Sequence, residues 1–315
     1  METFSSVGKR IPKRDAVDKV TGRAAYIQDL KVPGMLYGKI LRSKYPHARI
    51  VRIDTSKAKK LLGVRAVITA EDVPQIRYGF IKDQPVLKSG KVRSYRDELA
   101  AVAATDPEIA EEALRLIEVE YEALPGVFDP LEAMKPDAPL IHEENKSNVL
   151  KIPWNLVAGN VEEARKASAF VAEDRFELTW VTHCCLGTEG IIADFDLRNN
   201  LTTYRNTQIP SLAQRDFKDA LKVMGLPDAK VRIIKPTIGG GFGSKLDTYG
   251  FEYIAILLAY VTRKPVKIQK TREEEFRYTS TRQPAIVQIA QGCDKEGKLT
   301  FRDISMILDN GAYTP

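Results

Sequence analysis

Five consecutive residues, Gly239-Gly240-Gly241-Phe242-Gly243, carry the strongest local chemical signal in the 315-residue sequence. Glycines have no β-carbon, reach positive φ without steric cost and let backbone amides come close to an oxyanion, a phosphate or a metal-oxo group. The same cluster also fits a tight structural turn. Its spacing is not that of a P-loop, and the strand-turn-helix setting of a dinucleotide fingerprint is not expected around it. Gln208 offers a side-chain amide donor, or is a strand-end amide at the surface. Lys245 can meet an anion or stand in solvent. Arg272 suits a binding pocket or an ion pair with Glu273 and Glu274. His183, taken alone, reads as a hydrogen-bonded structural residue rather than a catalyst.

Other centres are harder to build from these residues. Cys184, Cys185 and Cys293 contain no CxxC pair and cannot supply four thiolates to an iron-sulfur cluster or a closed zinc site. An adjacent Cys184-Cys185 disulfide is strained, so these thiols are read as small buried packing groups. The 48 basic and 42 acidic residues give a net charge of +6, but the two signs are interleaved along the chain, which argues against a nucleic-acid footprint. The dense run Ser56-Lys57-Ala58-Lys59-Lys60 reads as a solvated helix face. A 43% hydrophobic, 29% charged composition is that of a globular protein. No apolar run approaches the roughly 20 residues of a membrane span. Met1-Glu2-Thr3-Phe4-Ser5-Ser6 has no apolar core behind a basic head, so the cytoplasm is the expected compartment.

The elements expected to position these residues mix helices and strands in an α+β rhythm. Val20 to Tyr26 and Gly34 to Leu41 read as short strands punctuated by Gly and Pro. Asp54-Thr55-Ser56 opens a short helix ending near Gly63, followed by a strand over Val64 to Thr69. Asp106-Pro107 opens a second helix whose apolar stripe is Ile109, Ala110, Ala113, Leu114 and Ile117. Glu118 to Tyr121 returns as a strand. The Pro-rich stretch from Leu124 to about Asn148 reads as a connector, and two domains are expected, 1–130 and 131–315. Beyond it come a helix at Asn160-Val161-Glu162-Glu163-Ala164 and a strand at Phe176 to Val181.

Several segments in order carry a resemblance. Thr21-Gly22-Arg23-Ala24-Ala25-Tyr26, Arg42-Ser43, Pro46-His47-Ala48-Arg49-Ile50, Ile53-Asp54-Thr55-Ser56 and Gly63-Val64 resemble the α/β hammerhead domain of the xanthine dehydrogenase (molybdenum hydroxylase) family. Asn206-Thr207-Gln208, Val231 to Pro236 and the glycine turn resemble its first molybdenum-cofactor-binding domain. Lys264 to Lys267, Thr271 to Glu274 and Asp309 to Tyr313 extend the likeness across nearly the whole chain. It implies an α+β fold and a molybdenum-pterin cofactor, molybdopterin itself or its cytosine dinucleotide. Gln208, Gly240, Gly241, Phe242 and Gly243 would bind it, with no metal ligand and no catalytic group from this chain.

Two departures bear on substrate. Relatives place a substrate-contacting glutamate where this chain has Gly187, and Glu189 lies about 6.6 Å further along an extended strand. Purine-oxidising relatives carry a glutamate where this chain has Leu246. The implied reaction is hydroxylation of an aromatic heterocycle or an aldehyde with water as oxygen source. Reductive 4-hydroxybenzoyl-CoA chemistry and a non-catalytic scaffold are the alternatives. The family's general base is a late glutamate that this sequence does not contain, so the resemblance implies a longer polypeptide or a second molybdenum-domain chain. Iron-sulfur and FAD subunits are the other implied partners, and the chain is expected to be inactive without them.

Overall fold

The computed structural model describes residues 4–150 and 155–314. A seven-stranded mixed sheet runs through the molecule in the order Val231–Ile234, Leu201–Arg205, Gly190–Phe195, Val266–Gln269, Leu36–Arg42, Glu98–Ala104, Val64–Thr69. Strands from both sides of the Pro-rich connector therefore share one sheet. The seam is a short parallel pairing in which Leu36 lies opposite Val266 and Tyr37 opposite Lys267.

Small residues at the centre let helices close on both faces. Every residue of Glu98–Ala104 is buried, and successive side chains of a strand point to opposite faces. Ala101 and Ala103 join the main core, beside the helix Gly250–Thr262. Ala100, Val102 and Ala104 instead pack with Ala110, Ala113 and Ile117 from the helix Pro107–Arg115 and its C-terminal flank. That helix starts where the sequence signals it: Pro107 occupies the first turn, and the Asp106 side chain accepts from the Glu108 amide. The helix Gly250–Thr262 is apolar on all sides apart from Glu252 in its first turn, and is buried from Gly250 through Ala259.

Two three-stranded sheets flank this core. One orders Lys91–Val92, Ala48–Asp54 and Glu118–Ala123; the other orders Leu299–Leu308, Ala285–Cys293 and Phe170–Leu178. Helices mixed with parallel and antiparallel strands make the α+β class expected from the sequence. Among the described residues, no helix is long and apolar enough to cross a membrane.

Local expectations fail in identifiable places. Val20 ends a short helix, Ala16–Val20, and Gly22 follows at φ 72°, so the anticipated strand over Val20 to Tyr26 is absent. The Arg23 and Ala24 amides donate back to the Asp18 carbonyl, which consumes the donors a strand would use. Only Tyr26 bridges, in parallel, to Thr237. The helix at residue 56 stops at Lys60, short of Gly63. The strand placed at Phe176 to Val181 spans Phe170–Leu178.

Candidate cofactor-binding site

Strand directions bring four loops to one end of the large sheet. Leu201–Arg205 and Val231–Ile234 are parallel, so their C-terminal ends lie together. Gly190–Phe195 is antiparallel to the first of these and starts there; Val266–Gln269 is antiparallel to Gly190–Phe195 and ends there. The loops concerned carry residues 183–189, 206–208, 235–249 and 270–271. The glycine turn thus joins a strand to the helix Gly250–Thr262 after all, although several residues separate it from each.

Two of these loops are laced backbone to backbone. The Gly187 amide donates to the Gly239 carbonyl at 2.8 Å. A β-carbon on Gly239 would stand 2.8 Å from both the Cα and the amide nitrogen of Gly187, and one on Gly187 would stand 3.0 Å from the Gly239 Cα. A side chain at Gly187 would crowd the opposing Gly239 backbone, so glycine at both positions lets the two loops close on each other. Cys185 is buried beneath the turn, its thiol 3.4 Å from the Gly241 carbonyl and 3.5 Å from the Ser244 hydroxyl. Cys184 is exposed at φ 50°, so the packing role expected of both thiols holds for Cys185 alone.

The turn itself alternates into the left-handed region, with φ 98° at Gly240, 50° at Phe242 and 103° at Gly243. Phe242 is one of six described non-glycine residues in that region, and it is 76% exposed. Gln208 packs against Gly241, where a β-carbon would lie 2.5 Å from its Oε1. That oxygen accepts from the Gly243 amide at 3.1 Å, and the Gln208 amide donates to the Lys245 carbonyl at 2.9 Å. The carboxamide is therefore held by its oxygen, which leaves its NH2 as the donor on offer. Among the described residues, the amides of Gly241 and Phe242 make no hydrogen bond. Asn206 ties the neighbouring loop in place, accepting from the Gly190 amide and donating to the Thr188 carbonyl.

Charged residues near the turn are sequestered rather than displayed. Lys245, expected to stand in solvent or to meet an anion, is 1% exposed. It donates to the carbonyls of Gly187 at 2.5 Å and Gly240 at 2.8 Å. Burial pushes its ammonium pKa down, with Cys185, Glu275 and Glu189 acting the other way. Glu189 is turned into the core, where its Oε2 lies 2.5 Å from the Lys270 ammonium, so it is not a substitute for the glutamate missing at Gly187. Arg272 makes no ion pair with Glu273 or Glu274, which pair with Arg277 and Arg42; its guanidinium donates to the Cys185 and Leu186 carbonyls and so braces the 184–187 loop. His183 lies beside Gly243, with its Nδ1 buried and unpartnered. Leu246 is half-buried.

Beneath the turn, Arg205 pairs with Glu252 at 2.7 Å. Burial pushes the Glu252 carboxyl up to about 7, against the opposing pull of Arg205. The fold thus favours its protonated form. That contribution to stability is complete below the ordinary carboxylate range and is lost as pH rises through about 7, at up to about 3 kcal/mol. Thermal melts from pH 5 to 8 are expected to fall with pH, and Glu252→Gln to flatten that fall; an unchanged slope would refute the assignment.

Among the described residues, no three His, Cys, Asp or Glu side chains cluster closely enough to hold a metal ion. The donors at the turn are amides with no partner, beside a carboxamide and glycines that leave no side chain in the way. This set fits an oxygen-rich anionic group that brings its own metal. The roles of Cys185 and Lys245 have no signal of their own in the sequence, because the Gly241 carbonyl met by the one and the Gly187 carbonyl met by the other lie 56 and 58 residues away.

The comparisons with known proteins point to the same group. Residues 141–315 match the family described as molybdopterin cofactor-binding domain, and residues 21–125 match the aldehyde oxidase and xanthine dehydrogenase a/b hammerhead domain. The chain is 42% identical over 301 residues to a probable xanthine dehydrogenase subunit of Bacillus subtilis, covering 95% of this chain and 40% of that one. It is 38% identical over 312 residues to the nicotinate dehydrogenase large molybdopterin subunit of Eubacterium barkeri, covering 98% and 72%. The solved quinoline 2-oxidoreductase of Pseudomonas putida 86 superposes with a TM-score of 0.86 at 28% identity, over 99% of this chain and 40% of that one. The chain thus spans two-fifths of the length of the Bacillus relative while nearly all of its own length is matched. Carrying both regions in order, it belongs to the xanthine dehydrogenase and aldehyde oxidase family of molybdopterin-binding subunits.

Proposed function

We propose that this chain forms one wall of the active site of a molybdenum hydroxylase-type oxidoreductase that acts on an aromatic heterocycle or an aldehyde. The observation that carries the reading is the pair of laced loops that leaves the Gly241 and Phe242 amides and the NH2 of the Gln208 carboxamide without partners among the described residues at one sheet end. Gln208, Gly240, Gly241, Phe242 and Gly243 are the residues proposed to hold the molybdenum-pterin cofactor. When bound, that group supplies a two-electron redox centre at which water is the oxygen source. The chain's own part is to orient the cofactor through backbone and carboxamide donors, fixed in advance by the turn, and to keep charged side chains away from its face.

The pocket chemistry favours a substrate with little need of carboxylates. Neither Gly187 nor Leu246 supplies one, and Glu189 is committed to Lys270. This sets the chain apart from the purine-oxidising pattern and suits a heterocycle or an aldehyde. The general base, the rest of the molybdenum domain, the iron-sulfur clusters and FAD are assigned to further polypeptide, in continuity or as separate subunits. One face of the sheet containing Phe170–Leu178 supports such packing. By register, Phe176, Leu178, Ile304, Met306 and Leu308 share it, and each is between 41% and 57% exposed.

The test is optical. Anaerobic addition of an N-heterocycle or an aldehyde to the purified complex is expected to bleach its flavin and iron-sulfur absorption at a catalytically competent rate. Bleaching by neither would overturn the proposal, and turnover of 4-hydroxybenzoyl-CoA alone would replace it with the reductive reaction.

A further inference from the structure

The buried ammonium of Lys245 has more order to impose than its burial alone requires. It spans two loops, binding the Gly187 and Gly240 carbonyls at 2.5 and 2.8 Å. In a planar trans peptide the carbonyl and the following N–H point in opposite directions. Drawing the Gly240 carbonyl toward Lys245 therefore aims the Gly241 N–H away from it, and the Gly187 carbonyl does the same for the Thr188 N–H. Neither amide makes a hydrogen bond among the described residues, and Gly241 is itself a buried residue. A buried, unpaired amide is costly unless a ligand completes it. Glycines at Gly239, Gly240 and Gly241 would otherwise leave these peptide planes free to rotate.

We propose that Lys245 is a positioning residue for the cofactor cradle: its ammonium fixes the peptide plane that presents the Gly241 amide to an anionic oxygen of the molybdenum-pterin group. The inference rests on the cofactor reading above and deepens it. Lys245 touches no cofactor in this arrangement. It acts through two carbonyls, and its positive charge also offsets the carbonyl dipoles gathered under an anion-binding turn.

A second buried lysine supplies the control. Lys267 is 7% exposed and likewise donates to two carbonyls, those of Gln28 and Leu30, at 2.8 and 3.1 Å, neither of them in the glycine turn or the 184–187 loop. The experiment compares Lys245→Met, Lys245→Arg and Lys267→Met in the assembled protein. It reads melting temperature, amide hydrogen exchange across residues 239–243, and bound molybdenum and pterin. Lys245→Met is expected to speed exchange of the Gly241 amide at least tenfold and to lower cofactor content several-fold beyond Lys267→Met at matched loss of stability. Lys245→Arg is expected to restore at least half of both. Equal effects of the two methionine variants on the 239–243 amides would show a merely structural lysine and overturn the inference. Wild-type protein without molybdenum and pterin would instead defeat the cofactor reading, while the exchange comparison would still decide whether Lys245 orders the turn.

Discussion

Gly239→Ala is expected to cost the assembled enzyme about 100-fold in turnover, through loss of bound cofactor and misplacement of what remains. Its new β-carbon would sit 2.8 Å from two backbone atoms of Gly187, and backbone has no rotamer by which to yield. The loops must separate, breaking the bond from the Gly187 amide to the Gly239 carbonyl and pulling the Gly187 carbonyl from Lys245. Global stability should fall by only about 1–3 kcal/mol, as for other overpacked sites. Loss of function well beyond loss of fold is the diagnostic result. Gly187→Glu, whose β-carbon would stand 3.0 Å from the Gly239 Cα, is expected to strain the same contact and to lose cofactor as well. Molybdenum and pterin content together with kcat measure both variants; near-native values for either would show that the loops are not laced as described.

Lys270→Met is expected to cost about 3–5 kcal/mol in urea denaturation, because it leaves the carboxylate of Glu189 buried and uncompensated. Lys270 is 4% and Glu189 2% exposed, and Glu189 Oε1 already has no partner. The lysine also donates to the Tyr278 carbonyl and the Thr279 hydroxyl, and its ammonium stands 4.8 Å from the centre of the Phe251 ring. Its loss would therefore reach the main core and the start of the helix Gly250–Thr262. Combining it with Glu189→Gln should recover a large part of the loss, since no charge is then left behind. A cost below about 1 kcal/mol for the single variant, or no recovery in the double, would contradict a buried ion pair.

What the sequence reveals follows from how far each interaction reaches. The strand Val64–Thr69, the Asp106-Pro107 helix start and the glycine turn rest on preferences within a few residues, and these are legible. The neighbours of the turn are not. Lys245 looks like any surface lysine until Gly187, 58 residues away, brings its carbonyl to it. Glu189 sits at a plausible spacing from Gly187, yet Lys270, 81 residues later, claims its carboxylate. The seam between Leu36 and Val266 has no local mark in either segment, so the sharing of one sheet by both halves of the chain emerges only in three dimensions. Val20 to Tyr26 fails for the opposite reason. Its β-prone residues are outweighed by Gly22 and by the Asp18 carbonyl, a local competition that propensity alone does not rank.

The most direct measurement is molybdenum and pterin analysis of the intact assembly purified with this chain, alongside its Gly239→Ala variant. One molybdenum and one pterin per copy of the chain are expected in the wild type, with both falling sharply and together in the variant. Stoichiometric absence of both from the wild-type assembly, or equal content in the two proteins, would contradict a cofactor cradle at the Gly239–Gly243 turn.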